Sequence, residues 1–412
     1  MKITKKHKEI VSVILKKVSP EKKDRLKLLA IQNEIIKKIK VPSAKASVGG
    51  SGAKNTWLKD THDIDIYVKF DRSKKSDELS DLLHKCLKKS FSKISRVHGS
   101  RDYFQVWYKG YTVEIVPILA IKNPKHAENI TDFSFFHVDY INRKTKKKKS
   151  LADEIRVAKI FAKANRFYGA ESYINGLSGY AIEILVAHYG SFIKFAERAS
   201  EWKETTVIGN KNSAQKLNWA KKISPLILID PVQPDRNAAA ALSKEQYYHI
   251  IKSCKKFLRN PSEIMFEKQP VNVAGLKKIG YLTTISAKPL KAKHDIAGSK
   301  ALKAFKFILK NLDKFEVVNS FFDYSGDSAV FYIVTKKEKL PSTYKHYGPP
   351  VKNKKAVELF KKANKGYQIK IEKDRCYVMK KIKHASLTEH LKDIIAREEV
   401  SSRISEISIL RC

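Results

Sequence analysis

Val48-Gly49-Gly50-Ser51-Gly52-Ala53-Lys54-Asn55-Thr56-Trp57-Leu58, followed closely by Asp63-Ile64-Asp65-Ile66-Tyr67-Val68, is the stretch from which the rest of the chain becomes readable. Glycines let the backbone turn tightly and approach an anion, and Ser51 falls at the start of a short helix whose free N–H groups and dipole favour phosphate. Lys54 adds a cation on the same turn. Asp63 and Asp65 alternate with Ile64 and Ile66, so on a strand the two carboxylates share one face while the isoleucines enter the core. Two carboxylates on one face can hold Mg²⁺. A third acid, Glu114, stands in a second such strand, Val113-Glu114-Ile115-Val116-Pro117. Three acids can organise two Mg²⁺ ions for an in-line displacement at phosphorus.

The wider composition fits a polyanionic partner. Among 412 residues, 83 Lys and Arg face 42 Asp and Glu, giving a formal net charge of +41, and 42% of residues are hydrophobic. That apolar content supports folded cores and excludes a disordered basic tail, while the surplus charge points to nucleic acid. Cys86, Cys254, Cys376 and Cys412 are scattered, with neither zinc spacing nor a disulfide framework, which fits a reducing cytoplasm. No stretch reaches the ~18 apolar residues of a membrane span, and Met1-Lys2-Ile3-Thr4-Lys5-Lys6 leads into an amphipathic helix rather than a signal core.

The pattern divides the chain into three parts. Helices are expected over 3–18 and 20–40, the second with Ser19 as N-cap and Pro20 at its first position. Residues 47–124 read as short strands around a helix near 77–92. The run Lys144 to Lys149 reads as a surface linker, which closes a head at residue 148. Residues 149–262 read as a helical middle domain, with helices near 151–165, from Ser178 to Arg198, and after Ser243. From 263 to 412 strands return around a helix at 299–311. The expected fold class is therefore multidomain α+β.

The Gly50-Ser51 turn, the Asp63-x-Asp65 strand and the third acid resemble the nucleotidyltransferase head shared by poly(A) polymerases, oligoadenylate synthetases and the polymerase β superfamily. More narrowly, Gly50-Ser51-Gly52-Ala53-Lys54-Asn55-Thr56-Trp57 is similar to the corresponding segment of archaeal, class I CCA-adding enzymes, the tRNA nucleotidyltransferases. Further resemblances follow in the same order: Phe136-His137, Lys163-Ala164-Asn165-Arg166-Phe167-Tyr168-Gly169-Ala170-Glu171, Gly176-Leu177-Ser178-Gly179-Tyr180, Asp230-Pro231-Val232, Asp235-Arg236-Asn237-Ala238-Ala239-Ala240 and Tyr347-Gly348-Pro349. They cover roughly residues 20–360.

The resemblance implies a polymerase β-like head, a helical nucleotide-binding middle domain and an α+β tRNA-binding C-terminal domain. It implies addition of C, C and A to the 3′ end of tRNA from CTP and ATP, with two Mg²⁺ ions on Asp63, Asp65 and Glu114. Glu114 stands where the family usually has Asp, and a longer side chain fits the strict octahedral geometry of Mg²⁺ differently. The resemblance further implies that Ser51, Lys54, Lys159 and Tyr168 bind the triphosphate, with Gly50 in the nucleotide-binding turn, and that His137 and Arg236 read the base or its sugar, with Asn237 assisting from the next position. Lys159 has support of its own, lying at helical spacing beside Ile155, Ala158 and Ala162, where a cation calls for an anionic partner. Arg236 is expected just before or in the first turn of a helix. Lys352, Lys354, Lys355, Lys361 and Lys362 suit contacts to RNA phosphate. A homodimer is compatible with this reading. The alternatives are a poly(A)-polymerase-like or A-adding enzyme, and a tRNA-binding homologue whose catalysis Glu114 has impaired.

Overall fold

The computed structural model describes residues 3–410, so Met1, Lys2, Arg411 and Cys412 lie outside the described residues. The chain divides into two compact units, residues 1–269 and 270–412.

In the first unit a five-stranded sheet is ordered β1 (Ala44–Val48), β2 (Asp63–Phe70), β5 (Tyr111–Leu119), β4 (Tyr103–Tyr108), β3 (Ser95–Val97), with β2 and β5 parallel and the other pairs antiparallel. One face is buried: Ile64, Ile66, Val68 and Phe70 of β2, with Val113, Ile115, Phe104 and Val106, are at most 3% exposed. Helices α2 (Lys22–Lys38) and α4 (Leu79–Leu87) cover it with Leu28, Ile31, Ile35, Leu79, Leu83 and Leu87. The opposite face carries the acids. A strand that buries Ile64 and Ile66 must turn Asp63 and Asp65 outward, so core packing sets the direction of the carboxylates.

The second core of this unit is helical. Helices α6 (Leu151–Ala164), α7 (Gly179–Tyr189), α8 (Phe192–Ser200) and α10 (Lys244–Arg259) enclose Phe161, Phe167, Phe192, Phe195 and Phe257. Ile10 and Ile14 of α1 (Lys5–Val18), and Ile141 of α5 (Ser134–Lys147), join it.

Three local expectations are corrected. Helix α2 begins at Lys22, with Glu21 as N-cap reciprocally bonded to Asp24, rather than at Ser19-Pro20. The basic run is no linker through Lys147: α5 continues there, anchored by buried Ile141, and its lysines suit a helix C-terminus. The helix expected from Ser178 to Arg198 is two helices, broken at Gly190-Ser191, where the Ser191 side chain accepts the Lys194 N–H and starts α8.

In the second unit β8 (Tyr281–Pro289), β9 (Val317–Tyr324), β10 (Ala329–Thr335) and β14 (Ile404–Leu410) form a sheet ordered β14-β8-β10-β9. Helix α12 (His294–Lys310) packs on it through Ala301, Ala304 and Ile308. A second sheet, ordered β11 (Thr343–Pro350), β13 (Arg375–Lys381), β12 (Lys370–Glu372), carries α13 (Lys354–Ala363). Lys354, Lys355, Lys361 and Lys362 lie exposed on α13, and Lys352 on the turn before it.

Candidate active site

Strand register sets the three acids side by side. Asp65 pairs with Glu114 across the parallel β2 and β5, and Glu114 pairs with Gln105 across β5 and β4. Gln105 Nε2 donates to Glu114 Oε1 at 2.8 Å and so orients that carboxylate. Burial pushes the Asp65 carboxyl up to about 6, and the charges of Glu114 and Asp63 add to the shift, against the opposing influence of Lys54 and Lys159. Acids crowded until one resists ionisation form a site short of positive charge, and an oxygen-only donor set fits a hard divalent cation. Among the described residues no three His, Cys, Asp or Glu side chains are gathered into a ready metal cage.

Facing Asp65 is the glycine turn. Gly50 opens a single helical turn, α3 (Gly50–Ala53), with φ +51°, and a Cβ placed there would come 1.6 Å from Asp65 Oδ2. Both the backbone angle and the contact demand glycine. Gly50→Ala should therefore displace the turn or the carboxylate and lower the nucleotidyl transfer that the resemblance implies about 100-fold or more, a loss of the size seen when catalytic groups shift by ~1 Å. Steady-state incorporation measured beside a melting curve checks this, since unchanged activity would mean that the turn does not matter.

Past α3, buried Arg156 of α6 clamps the chain. Its Nε donates to the Trp57 carbonyl at 3.0 Å, and its Nη2 to the Asn55 carbonyl at 2.6 Å and to Asn55 Oδ1 at 2.9 Å. This brings Lys54 and Thr56 against α6 and α7, where they meet Glu183. Glu183 is fully buried, with Lys54 Nζ at 2.6 Å, Lys159 Nζ at 2.7 Å and Thr56 Oγ1 at 2.7 Å. Burial raises the cost of its charge, yet the two ammonium groups outweigh it and hold the Glu183 carboxyl down to about 2. Lys159, expected to need an anion, has found one within the protein. Its ammonium also donates to the Thr56 carbonyl and hydroxyl, while burial lowers its own pKa. Tyr168 stands close by: a Cβ on Gly179 would come 2.7 Å from its hydroxyl and 3.9 Å from Lys159 Cε. Burial, with the charge of Glu183, pushes the Tyr168 phenol well up, so it is a hydroxyl able to donate.

A second hub is Asp230, also fully buried. Arg236 Nη1 donates to its Oδ2 at 2.9 Å, Tyr180 Oη donates to its Oδ1 at 3.1 Å, and His137 Nε2 lies 3.2 Å from Oδ2. The His137 ring stacks on Tyr180 at 4.0 Å, and burial lowers its pKa toward the neutral form. Arg236 lies in a turn rather than at a helix start, since the next helix begins only at Lys244. Asn237 is 3% exposed, and its amide is fully engaged: Oδ1 accepts from Leu228 and Ala239 N–H, and Nδ2 donates to the Lys221 and Leu226 carbonyls. Its place is the frame of the loop that carries Arg236, not the open site.

The structure thus gathers Asp63, Asp65 and Glu114 on the open sheet face with Gly50 of the turn that carries Ser51 set against Asp65, Lys54, Lys159 and Tyr168 around Glu183, and His137 and Arg236 around Asp230. Neither Glu183 nor Asp230 had been assigned a part from sequence. A signal existed for the first, a lone acid in Ala181-Ile182-Glu183-Ile184-Leu185-Val186.

Comparisons with known proteins agree along the chain. Residues 29–161 match the nucleotidyltransferase domain, 153–267 the second domain of tRNA nucleotidyltransferase, and 298–406 the C-terminal domain of CCA-adding enzyme. The CCA-adding enzyme of Nanoarchaeum equitans (strain Kin4-M) is 36% identical over 312 residues, covering 74% of this chain and 76% of the relative. That of Methanocaldococcus jannaschii is 30% identical over 412 residues, covering 94% and 90%. Among solved structures, the Cid1 poly(U) polymerase bound to Mg 3′-dATP superposes with TM-score 0.53 at 14% identity over 64% of this chain and 99% of that one, a likeness of fold.

Proposed function

Since the chain belongs to the CCA-adding enzyme family, we propose a residue-by-residue reading of how it performs that family's reaction. The protein is a tRNA nucleotidyltransferase with a polymerase β-like head, and it adds C, C and A to the 3′ end of tRNA without a template. In our reading the substrates are CTP and ATP and pyrophosphate leaves at each step. Asp63, Asp65 and Glu114 would hold two Mg²⁺ ions, which when bound activate the attacking 3′-hydroxyl and neutralise charge on the phosphates. The Gly50-Ser51 turn brings backbone N–H groups to the phosphates. Lys54 and Lys159 outnumber Glu183 by one positive charge, and that surplus attracts the triphosphate. Tyr168 donates its hydroxyl to a phosphate oxygen. Asp230 holds the Arg236 guanidinium and the neutral His137 ring in place, so that both offer donors to the incoming base. The division into head, middle and C-terminal domains follows the sequence reading, and unpaired Cys86, Cys254 and Cys376 suit the cytoplasm.

The observation that carries this reading is the register of Asp63, Asp65 and Glu114 on the one open sheet face, with the Lys54 and Lys159 charges acting on Asp65. The test is labelled CTP and ATP, offered separately and together, to tRNA transcripts ending before CCA. Two C from CTP alone and a single A once ATP joins is the expected result. Tails of A alone would overturn it. Glu114→Asp should keep incorporation within about tenfold, because the shorter acid still faces Asp65, whereas Glu114→Ala should lose at least ~100-fold. Full activity in Glu114→Ala would remove Glu114 from the site.

A further inference from the structure

Two tryptophans are buried, Trp57 and Trp202, and two stand in solvent, Trp107 at 71% and Trp219 at 79% exposure. Trp107 is the one tied to the chemistry by register. It pairs with Thr112 across β4 and β5, and Thr112 pairs with Asp63 across β5 and β2. Asp63, Thr112 and Trp107 therefore form one row across the open sheet face. The next row is Asp65, Glu114 and Gln105. With adjacent strands about 4.8 Å apart, Trp107 lies roughly 10 Å from Asp63 on the same surface. The two-residue turn Lys109-Gly110, with φ of +48° and +86°, locks the hairpin and with it this register.

We propose that Trp107 is the stacking platform for a base at the growing 3′ end of tRNA, a residue that positions the attacking nucleotide. The proposal rests on the reading of Asp63, Asp65 and Glu114 as the centre of nucleotidyl transfer. An indole 71% exposed offers a free ring face to a partner, and its place in the row of Asp63 says which partner. The groups beside Trp107 in its row, Thr112 and Asp63, bring no positive charge for a phosphate, while a nucleobase presents a π-face that any aromatic ring can stack. A stacked base fits an enzyme that must accept a 3′ end finishing in different nucleotides as it grows, since stacking tolerates all of them. The remainder of the RNA meets a chain with a net charge of +41, so binding strength comes from elsewhere and Trp107 supplies placement.

Trp107→Ala should raise the KM for tRNA or lower kcat by a combined factor of about 10 or more, the cost of one lost base stack. The KM for CTP and for ATP should stay within twofold, and Trp107→Phe and Trp107→Tyr should restore most of the loss. In protein carrying Trp219→Phe, where Trp107 is the exposed emitter, tRNA ending in C or CC should quench the fluorescence, and Trp107→Phe in that background should abolish the response. An unchanged tRNA KM and kcat in Trp107→Ala, or emission indifferent to tRNA, would overturn the platform, as would an altered sedimentation coefficient with normal incorporation, which would mark the residue as a contact between chains. If the unsubstituted enzyme incorporates nothing, the reaction itself has been misread, while quenching by tRNA still decides whether a base covers Trp107.

Discussion

Asp63→Ala should lower incorporation of CMP and AMP into tRNA by at least ~1,000-fold while leaving tRNA affinity within a few-fold and the melting temperature nearly unchanged. Each part of that expectation has its own cause. Asp63 is exposed at the start of β2, and the packing of that strand is carried by Ile64, Ile66, Val68 and Phe70 on the other face, so truncation empties no core volume. Affinity for tRNA comes from many phosphate contacts spread over a strongly basic chain, and one acid on an open face contributes little to it. Transfer, by contrast, depends on carboxylates that act as a unit, so removing one is nearly as damaging as removing two. Asp63→Ala/Glu114→Ala should accordingly be no more than about tenfold worse than Asp63→Ala alone. Filter binding at two salt concentrations, single-turnover incorporation and a thermal melt on the same preparations check all three parts. A large loss of tRNA binding would make Asp63 a structural acid instead.

What could be read from the sequence followed from periodicity, and what escaped it depended on distant contacts. The alternation around Asp63 and Asp65 located β2 and its two faces, and the same rule placed Glu114 on β5. The register that sets Asp65 beside Glu114 could not be read, because it depends on which strands become neighbours. The glycine turn was legible as a phosphate-type turn, but the clash that makes Gly50 obligatory comes from Asp65, fifteen residues away. Lys159 was recognisable as a cation on an apolar helix face. Its partner was not, since Glu183 arrives from α7 and Lys54 from the turn after β1. Asn237 shows the opposite failure: a polar residue beside a site residue looks like a ligand, while the four hydrogen bonds that occupy it join backbone groups from four separate positions. The tryptophan of the open face, Trp107, sits between buried Val106 and the turn, and it is the hairpin register that sets it in the row of Thr112 and Asp63.

Glu183→Gln should destabilise the first unit by about 3–5 kcal/mol, because it removes the countercharge and leaves two ammonium groups facing each other in a buried space. For a unit of this size the midpoint should fall by on the order of 10 °C. The amide keeps the shape of the carboxylate, so volume does not explain the loss. If charge does, Lys54→Met added to Glu183→Gln should recover a good part of it, and the double-mutant cycle should show a coupling of about 1 kcal/mol or more. The pH dependence has a definite sign. Glu183 titrates near 4.5 when unfolded and about 2 when folded, so its contribution is complete above pH 4.5 and is lost as the pH falls toward 2. The stability gap between the unsubstituted protein and Glu183→Gln should therefore be constant from pH 5 to 7 and narrow below pH 4.5. A gap that ignores pH in that range would mean that hydrogen bonding, not charge, fixes the lysines. Function should follow the same network: assayed well below its midpoint, Glu183→Gln should change kcat/KM for CTP and ATP by the same factor, because in the proposed reading Lys54 and Lys159 serve the triphosphate that both share. Arg236→Ala should change the two unequally, because in the proposed reading it faces the base, the part in which they differ.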